Sequence, residues 1–157
     1  MTSFSHLDDQ GNARMVNVGD KEVTARRAVA SAQVLMQPET AQALKDKALP
    51  KGDALAVARL AGIQGAKSTA ALIPLCHPLA LDAVQVDIEV QDSQALIQAE
   101  ARIHGKTGVE MEALTAAATG ALALIDMIKG VDRGAHIGFV RLELKEGGKS
   151  GRWVRES

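Results

Sequence analysis

VQVDIEVQDSQALIQAEARIHGKTGVEMEALTAAATGALALIDMIKG, Val84 to Gly130, decides the fold of this 157-residue chain. Val84, Val86, Ile88 and Val90 alternate with Gln85, Asp87, Glu89 and Gln91, the period of a half-buried strand. Asp92-Ser93 is a turn signal. Ala95, Ile97, Ala99, Ala101 and Ile103 then alternate with Leu96, Gln98, Glu100, Arg102 and His104. The two runs predict a hairpin with one wet face. Beyond it the period changes. From about Glu110 to Lys129 the spacing predicts a long small-residue helix, with Gly130 as its C-terminal cap.

Working outward, Pro74 and Pro78 bracket Leu75-Cys76-His77 in a stiff, exposed turn. Pro50 introduces an Ala-rich helix from Lys51 to Leu72. Its interior glycines, Gly62 and Gly65 among them, each cost about 1 kcal/mol relative to Ala, which close backbone approach would offset. Pro38-Glu39-Thr40 opens a short helix, and Glu22 to Met36 reads as a strand. The residues before about position 20 read as a mobile or partner-ordered arm. Val140, Leu142 and Leu144 alternate as a last strand, and residues from about 147 to 157 read as a flexible tail. The order β-α-α-β-β-α-β predicts an α+β fold in a single domain over 1–157. Its expected form is a ferredoxin-like antiparallel sheet with helices packed on one face.

Composition narrows the function. Apolar residues are 46% and the net charge is −1, which argues against disorder and against nucleic acid as the main partner. Any anion site is therefore local. No apolar run reaches about 18 residues without a charge, so no membrane span is expected. The start of the chain lacks a secretory pattern, and Cys76 is the lone cysteine; both point to the cytoplasm. The other histidines (His6, His104, His136) show no metal-ligand spacing.

Gly105-Lys106-Thr107 resembles a phosphate loop, yet a Walker A loop needs a glycine where Glu100 stands. Gly147-Gly148-Lys149-Ser150 fails likewise at Glu143. The first motif reads as a strand-to-helix turn. On the helix behind it, Glu112, Thr115, Thr119, Asp126 and Lys129 fall within an arc of roughly 100°. Such a stripe is ordinarily a solvated face. This one lacks the usual crowding of Lys and Glu, and Asp126 and Lys129 lie one turn apart, where each can tune the other. Glu112 and Asp126 are about 21 Å apart along the helix, so they cannot grip one small group unless the ligand is long or a second subunit contributes. Lys51 and Lys67 on the first long helix, Arg26 and Arg27 on the first strand, and Lys145 and Lys149 near the end could together neutralise a triphosphate.

Lys51-Gly52-Asp53, Ala61-Gly-Ile-Gln64, Leu72-Ile-Pro-Leu-Cys-His-Pro-Leu79, Gly105-Lys-Thr-Gly-Val-Glu-Met-Glu-Ala-Leu-Thr-Ala116 and Asp126-Met-Ile-Lys129 resemble the MoaC family, the cyclic pyranopterin monophosphate synthases of molybdenum cofactor biosynthesis. The resemblance spans Met15 to Gly151. It implies a homohexamer, a trimer of dimers with active sites at the dimer interface. It implies a lyase that converts 3′,8-cyclo-7,8-dihydro-GTP into cyclic pyranopterin monophosphate and pyrophosphate, with no redox cofactor and any Mg²⁺ accompanying the triphosphate. Asp126, Lys51 and Lys129 match its catalytic residues. Leu75, Cys76, His77, Glu110, Met111 and Glu112 match substrate-contact segments. Lys21, Arg26, Lys67 and Lys145 match basic positions around the substrate. The chain departs from the family's pattern at Asn17, where aspartate is expected, and at Phe139, where proline is. The chemistry would need repeated proton transfers, for which lysines with pKa lowered by neighbouring cations are suited. The rival readings are a catalytically silent nucleotide-binding regulator on the same scaffold and a P-loop NTPase, the latter disfavoured by Glu100.

Overall fold

The computed structural model describes residues 5–157. In chain order the elements are β1 (Thr24–Leu35), α1 (Pro38–Lys45), α2 (Ala54–Lys67), α3 (Thr69–Leu72), β2 (Ala83–Val90), β3 (Gln94–Gly105), α4 (Glu110–Ile128), β4 (His136–Glu146) and β5 (Trp153–Val154). Every strand pairing is antiparallel, in the order β2-β3-β1-β4-β5. This is the expected α+β, ferredoxin-like arrangement, with one short edge strand added.

The alternation in the sequence explains the layering. Ala28, Ala30, Ala32 and Val34 of β1 and Ala95, Ile97, Ala99 and Ala101 of β3 are fully buried on one face. α4 lies across β1, β3 and β4 on that face, and α2 packs on α4 and β2. Small side chains on the sheet let α4 approach closely. The opposite face carries charge instead: Arg27 bridges Glu100 at 2.7 Å and Glu146 at 3.3 Å.

Close packing also explains the interior glycines. A Cβ on Gly65 would stand 2.5 Å from Thr119 Oγ1, and one on Gly62 would stand 3.0 Å from the Ala116 carbonyl oxygen. The polar stripe of α4 is therefore not a solvated face along its length. Glu112 and Thr115 are buried, at 4% and 8% exposure, and Thr119 sits against α2. Only the Asp126–Lys129 end is open.

Three sequence expectations are corrected. The helix expected from Lys51 to Leu72 begins only at Ala54 and breaks at Ser68. Gly52 has φ +98°, a left-handed conformation that cannot continue a helix. Asp53 then caps α2 by accepting from Ala56 N at 3.1 Å. At the other end, Thr69 Oγ1 donates to the Ala66 carbonyl at 2.9 Å, a local competitor of the helix ladder. Lys51 thus precedes the helix, on a loop. The second correction is at Gly130, which is not a left-handed cap. Lys129 is the C-cap, donating its amide to Ile125 O, while Val131 and Asp132 amides both reach Ile128 O. The third is β5, absent from the sequence reading. Gly147 and Gly148, both with positive φ, turn the chain so that Trp153 and Val154 pair with Lys145 and Leu144.

α4 has the length and hydropathy of a membrane span, with 19 residues and a mean hydropathy of 1.5. Its apolar side is occupied by the sheet and by α2. It is a core helix of this fold.

Candidate active site

α4 carries a chemically distinct cluster at each end. At its N-terminal end, a cleft of about 410 Å³ is lined by Leu75, Cys76, His77, Glu110, Met111, Glu112 and Lys21. The turn between Pro74 and Pro78 delivers the first three, and the first turn of α4 delivers the next three. Val16 and Val18 of the N-terminal segment add to the wall. This segment is tied down by side chains from the core. His77 Nε2 lies 2.7 Å from the Val16 carbonyl. A carbonyl only accepts, so Nε2 carries the proton. Lys106 Nζ donates to the Gly19 carbonyl at 2.7 Å. The lysine of the apparent phosphate loop is thus an anchor for the arm.

Glu112 is the least ordinary group in the cleft. It is 4% exposed and lacks a cation partner among the described residues. Burial, with the charge of nearby Glu110, pushes its carboxyl up to about 7. Burial first, then the Glu112 charge, pushes the Cys76 thiol up as well. A raised thiol pKa disfavours a thiolate nucleophile at neutral pH. Lys145, from β4, reaches Glu110 at 3.7 Å and brings a cation to the rim.

At the C-terminal end of α4, Asp126 lies between two ammonium groups. Lys129 Nζ is 2.7 Å from Oδ1. Lys51 Nζ is 3.5 Å from Oδ2 and donates to the Asp126 carbonyl at 2.8 Å. Lys129 foremost, and then Lys51, holds the Asp126 carboxyl below the usual carboxylate range. All three side chains are about half exposed, so this cluster faces a space that a ligand or a second chain can enter. The two lysines share one carboxylate.

The other expected residues fall between or outside these clusters. Arg26 Nε donates to the Gly105 carbonyl at 3.1 Å. Arg26, Lys21, Thr24, Lys149 and Ser150 line a second cleft of about 760 Å³, which adjoins the first through Lys21. Thr24 Oγ1, in that cleft, is buried without a hydrogen-bond partner. Lys67 lies at the end of α2 beside Leu79 to Val84 and joins neither cluster within this chain. Sequence reasoning missed Val16 and Val18 as parts of the cleft wall and Lys106 as the anchor of the arm, because an irregular arm has no periodicity to read. Among the described residues, no group of three or more His, Cys, Asp or Glu side chains is placed to hold a metal ion.

The sequence profile of the MoaC family matches residues 15–148. The chain is 54% identical over 152 residues to a cyclic pyranopterin monophosphate synthase of Streptomyces coelicolor, covering 97% of this chain and 89% of that protein. It is 51% identical over 158 residues to the protein of that name from Thermomicrobium roseum, covering 99% and 95%. A third relative of that name, from Nocardioides sp., is 51% identical over 155 residues, covering 97% and 95%.

Proposed function

Because this chain belongs to the MoaC family, we propose that it is a cyclic pyranopterin monophosphate synthase in molybdenum cofactor biosynthesis. Its substrate is 3′,8-cyclo-7,8-dihydro-GTP, and its products are cyclic pyranopterin monophosphate and pyrophosphate. The observation that carries the reading is the Lys51–Asp126–Lys129 cluster. Two primary amines flank one ionised carboxylate on an open face, an arrangement suited to moving protons between nitrogen and oxygen atoms of a purine-derived ring. Asp126 holds and orients the two ammonium groups, and each lysine can deliver or take a proton at the ring or ribose.

The cleft at the other end of α4 supplies recognition. Glu112, desolvated and without a cation partner, suits the hydrogen-bond donors of a guanine-like edge, and the His77 and Cys76 turn shapes the wall. Lys21, Arg26, Lys145 and Lys149 supply charge for the triphosphate and for the departing pyrophosphate. In this reading no redox cofactor takes part, and any Mg²⁺ arrives with the substrate's phosphates.

The two clusters are about 21 Å apart along α4. One pocket therefore combines the Lys51–Asp126–Lys129 end of one chain with the Glu112 end of another. Dimers of this kind, assembled as a hexamer, complete the active site. Lys67 would enter it from the neighbouring chain. The enzyme works in the cytoplasm as one domain.

The test is incubation with the cyclised dihydro-GTP. Pyrophosphate release with formation of the cyclic phosphate supports the enzyme. Binding without turnover would replace it with a nucleotide-binding regulator on the same scaffold.

A further inference from the structure

Asp132 lies outside both clusters, three residues past Lys129, and is 7% exposed. Its carboxylate has no cation partner among the described residues. Hydrogen bonds hold it instead. Oδ2 accepts from Gln37 N at 2.8 Å and from Thr40 Oγ1 at 3.1 Å, while Oδ1 accepts from Gly134 N at 3.1 Å. A buried charge of this kind persists only when its hydrogen bonds are complete.

The contacts join two separate parts of the chain. Gln37 is the N-cap residue of α1 and provides no side-chain cap of its own. A Ser, Thr or Asp at position 37 would cap α1 locally. Here the turn after α4 fastens the start of α1 instead, through the Gln37 amide and the Thr40 hydroxyl. From α1 the chain runs through the buried Leu44 and Leu49, 3% and 7% exposed, and returns Lys51 to α4. There its Nζ donates to the Asp126 carbonyl at 2.8 Å. The path from Asp126 through Asp132, Gln37, α1 and Lys51 closes on itself.

We propose that Asp132 is a positioning residue, holding the segment that carries Lys51 against the helix end that carries Asp126 and Lys129. It touches no substrate and acts through Lys51. The proposal rests on the catalytic reading of that cluster. A displacement of about 1 Å in a catalytic group can cost about 100-fold in rate, so a tie of this kind has kinetic weight.

The variants are Asp132→Asn and Thr40→Val, the second removing a single hydrogen bond from the same carboxylate. Each is checked for native circular dichroism. Turnover is read as pyrophosphate release from the cyclised dihydro-GTP, with kcat and KM separated. Acetic anhydride labelling, read by peptide mass mapping, independently reports the access of Lys51 relative to Lys67. We expect Asp132→Asn to lower kcat about 10- to 100-fold with KM little changed, and to raise Lys51 labelling while Lys67 is unaffected. Thr40→Val should move both readouts less, in the same direction. If Asp132→Asn does not fold, Thr40→Val decides. A folded variant with wild-type kcat and unchanged Lys51 labelling overturns the proposal. If the wild-type chain releases no pyrophosphate, the catalytic reading fails, and the labelling still reports whether Asp132 places Lys51.

Discussion

Replacing Glu112 by Gln should change how the stability of this protein depends on pH. Glu112 is 4% exposed, and burial with the charge of Glu110 raises its carboxyl from 4.5 to about 7. Below about pH 4.5 it is protonated in both the folded and the unfolded chain, and above about pH 7 it is ionised in both. Between those values only the unfolded chain gives up the proton. Rising pH therefore favours unfolding across this window, and the contribution from Glu112 is lowest above it. At about 1.4 kcal/mol for each tenfold change in proton affinity, the gap corresponds to about 3 kcal/mol. The carboxyl borders an open cleft, and solvent there screens part of the effect, so about 2 kcal/mol is expected. Glu112→Gln keeps the size of the side chain and cannot ionise. The variant should match the wild type near pH 4.5 and exceed it by about 2 kcal/mol at pH 8, a rise in Tm of about 4 to 8 °C. Urea melts of both proteins at the two pH values read the difference directly, because groups common to both cancel. An equal stability difference at the two pH values would refute the reasoning.

Lys51→Ala, Lys129→Ala and Asp126→Asn should each abolish pyrophosphate release from the cyclised dihydro-GTP while circular dichroism stays native. All three side chains are about half exposed and carry little of the core. Near-normal turnover in all three would remove the cluster from the chemistry. Gly65→Ala should destabilise the fold by about 1 to 3 kcal/mol in thermal melts, despite Ala's better helix propensity, because the added carbon would stand 2.5 Å from Thr119 Oγ1. A neutral or stabilising result would mean that α2 and α4 can separate there.

The hairpin of β2 and β3 was legible because its alternation is local and one of its faces is wet. α4 was legible from its change of period. The placement of Lys51 was not, because Gly52 at φ +98° looks in sequence like any other glycine in an Ala-rich run. That Thr115 and Thr119 are covered was not legible, since their cover includes Gly65 on another helix. β5 has two residues, and its pairing with β4 depends on the turn at Gly147 and Gly148. In the candidate site, Asp126 and Lys129 could be paired from their spacing. The meeting of His77 with Glu112 depends on long-range folding, and only the family resemblance anticipated it. Asp132 carries no sequence signal, because its partners Gln37 and Thr40 lie more than 90 residues away.

In the proposed enzyme, the two ends of α4 serve one pocket built from two chains. Coexpression of a Lys51→Ala chain with a His77→Ala chain measures this most directly. Each variant alone should be inactive, and mixed assemblies should recover part of the wild-type pyrophosphate release, because some pockets then combine two intact ends. Mixed assemblies, verified by differential tags, that remain as inactive as either variant would contradict the account.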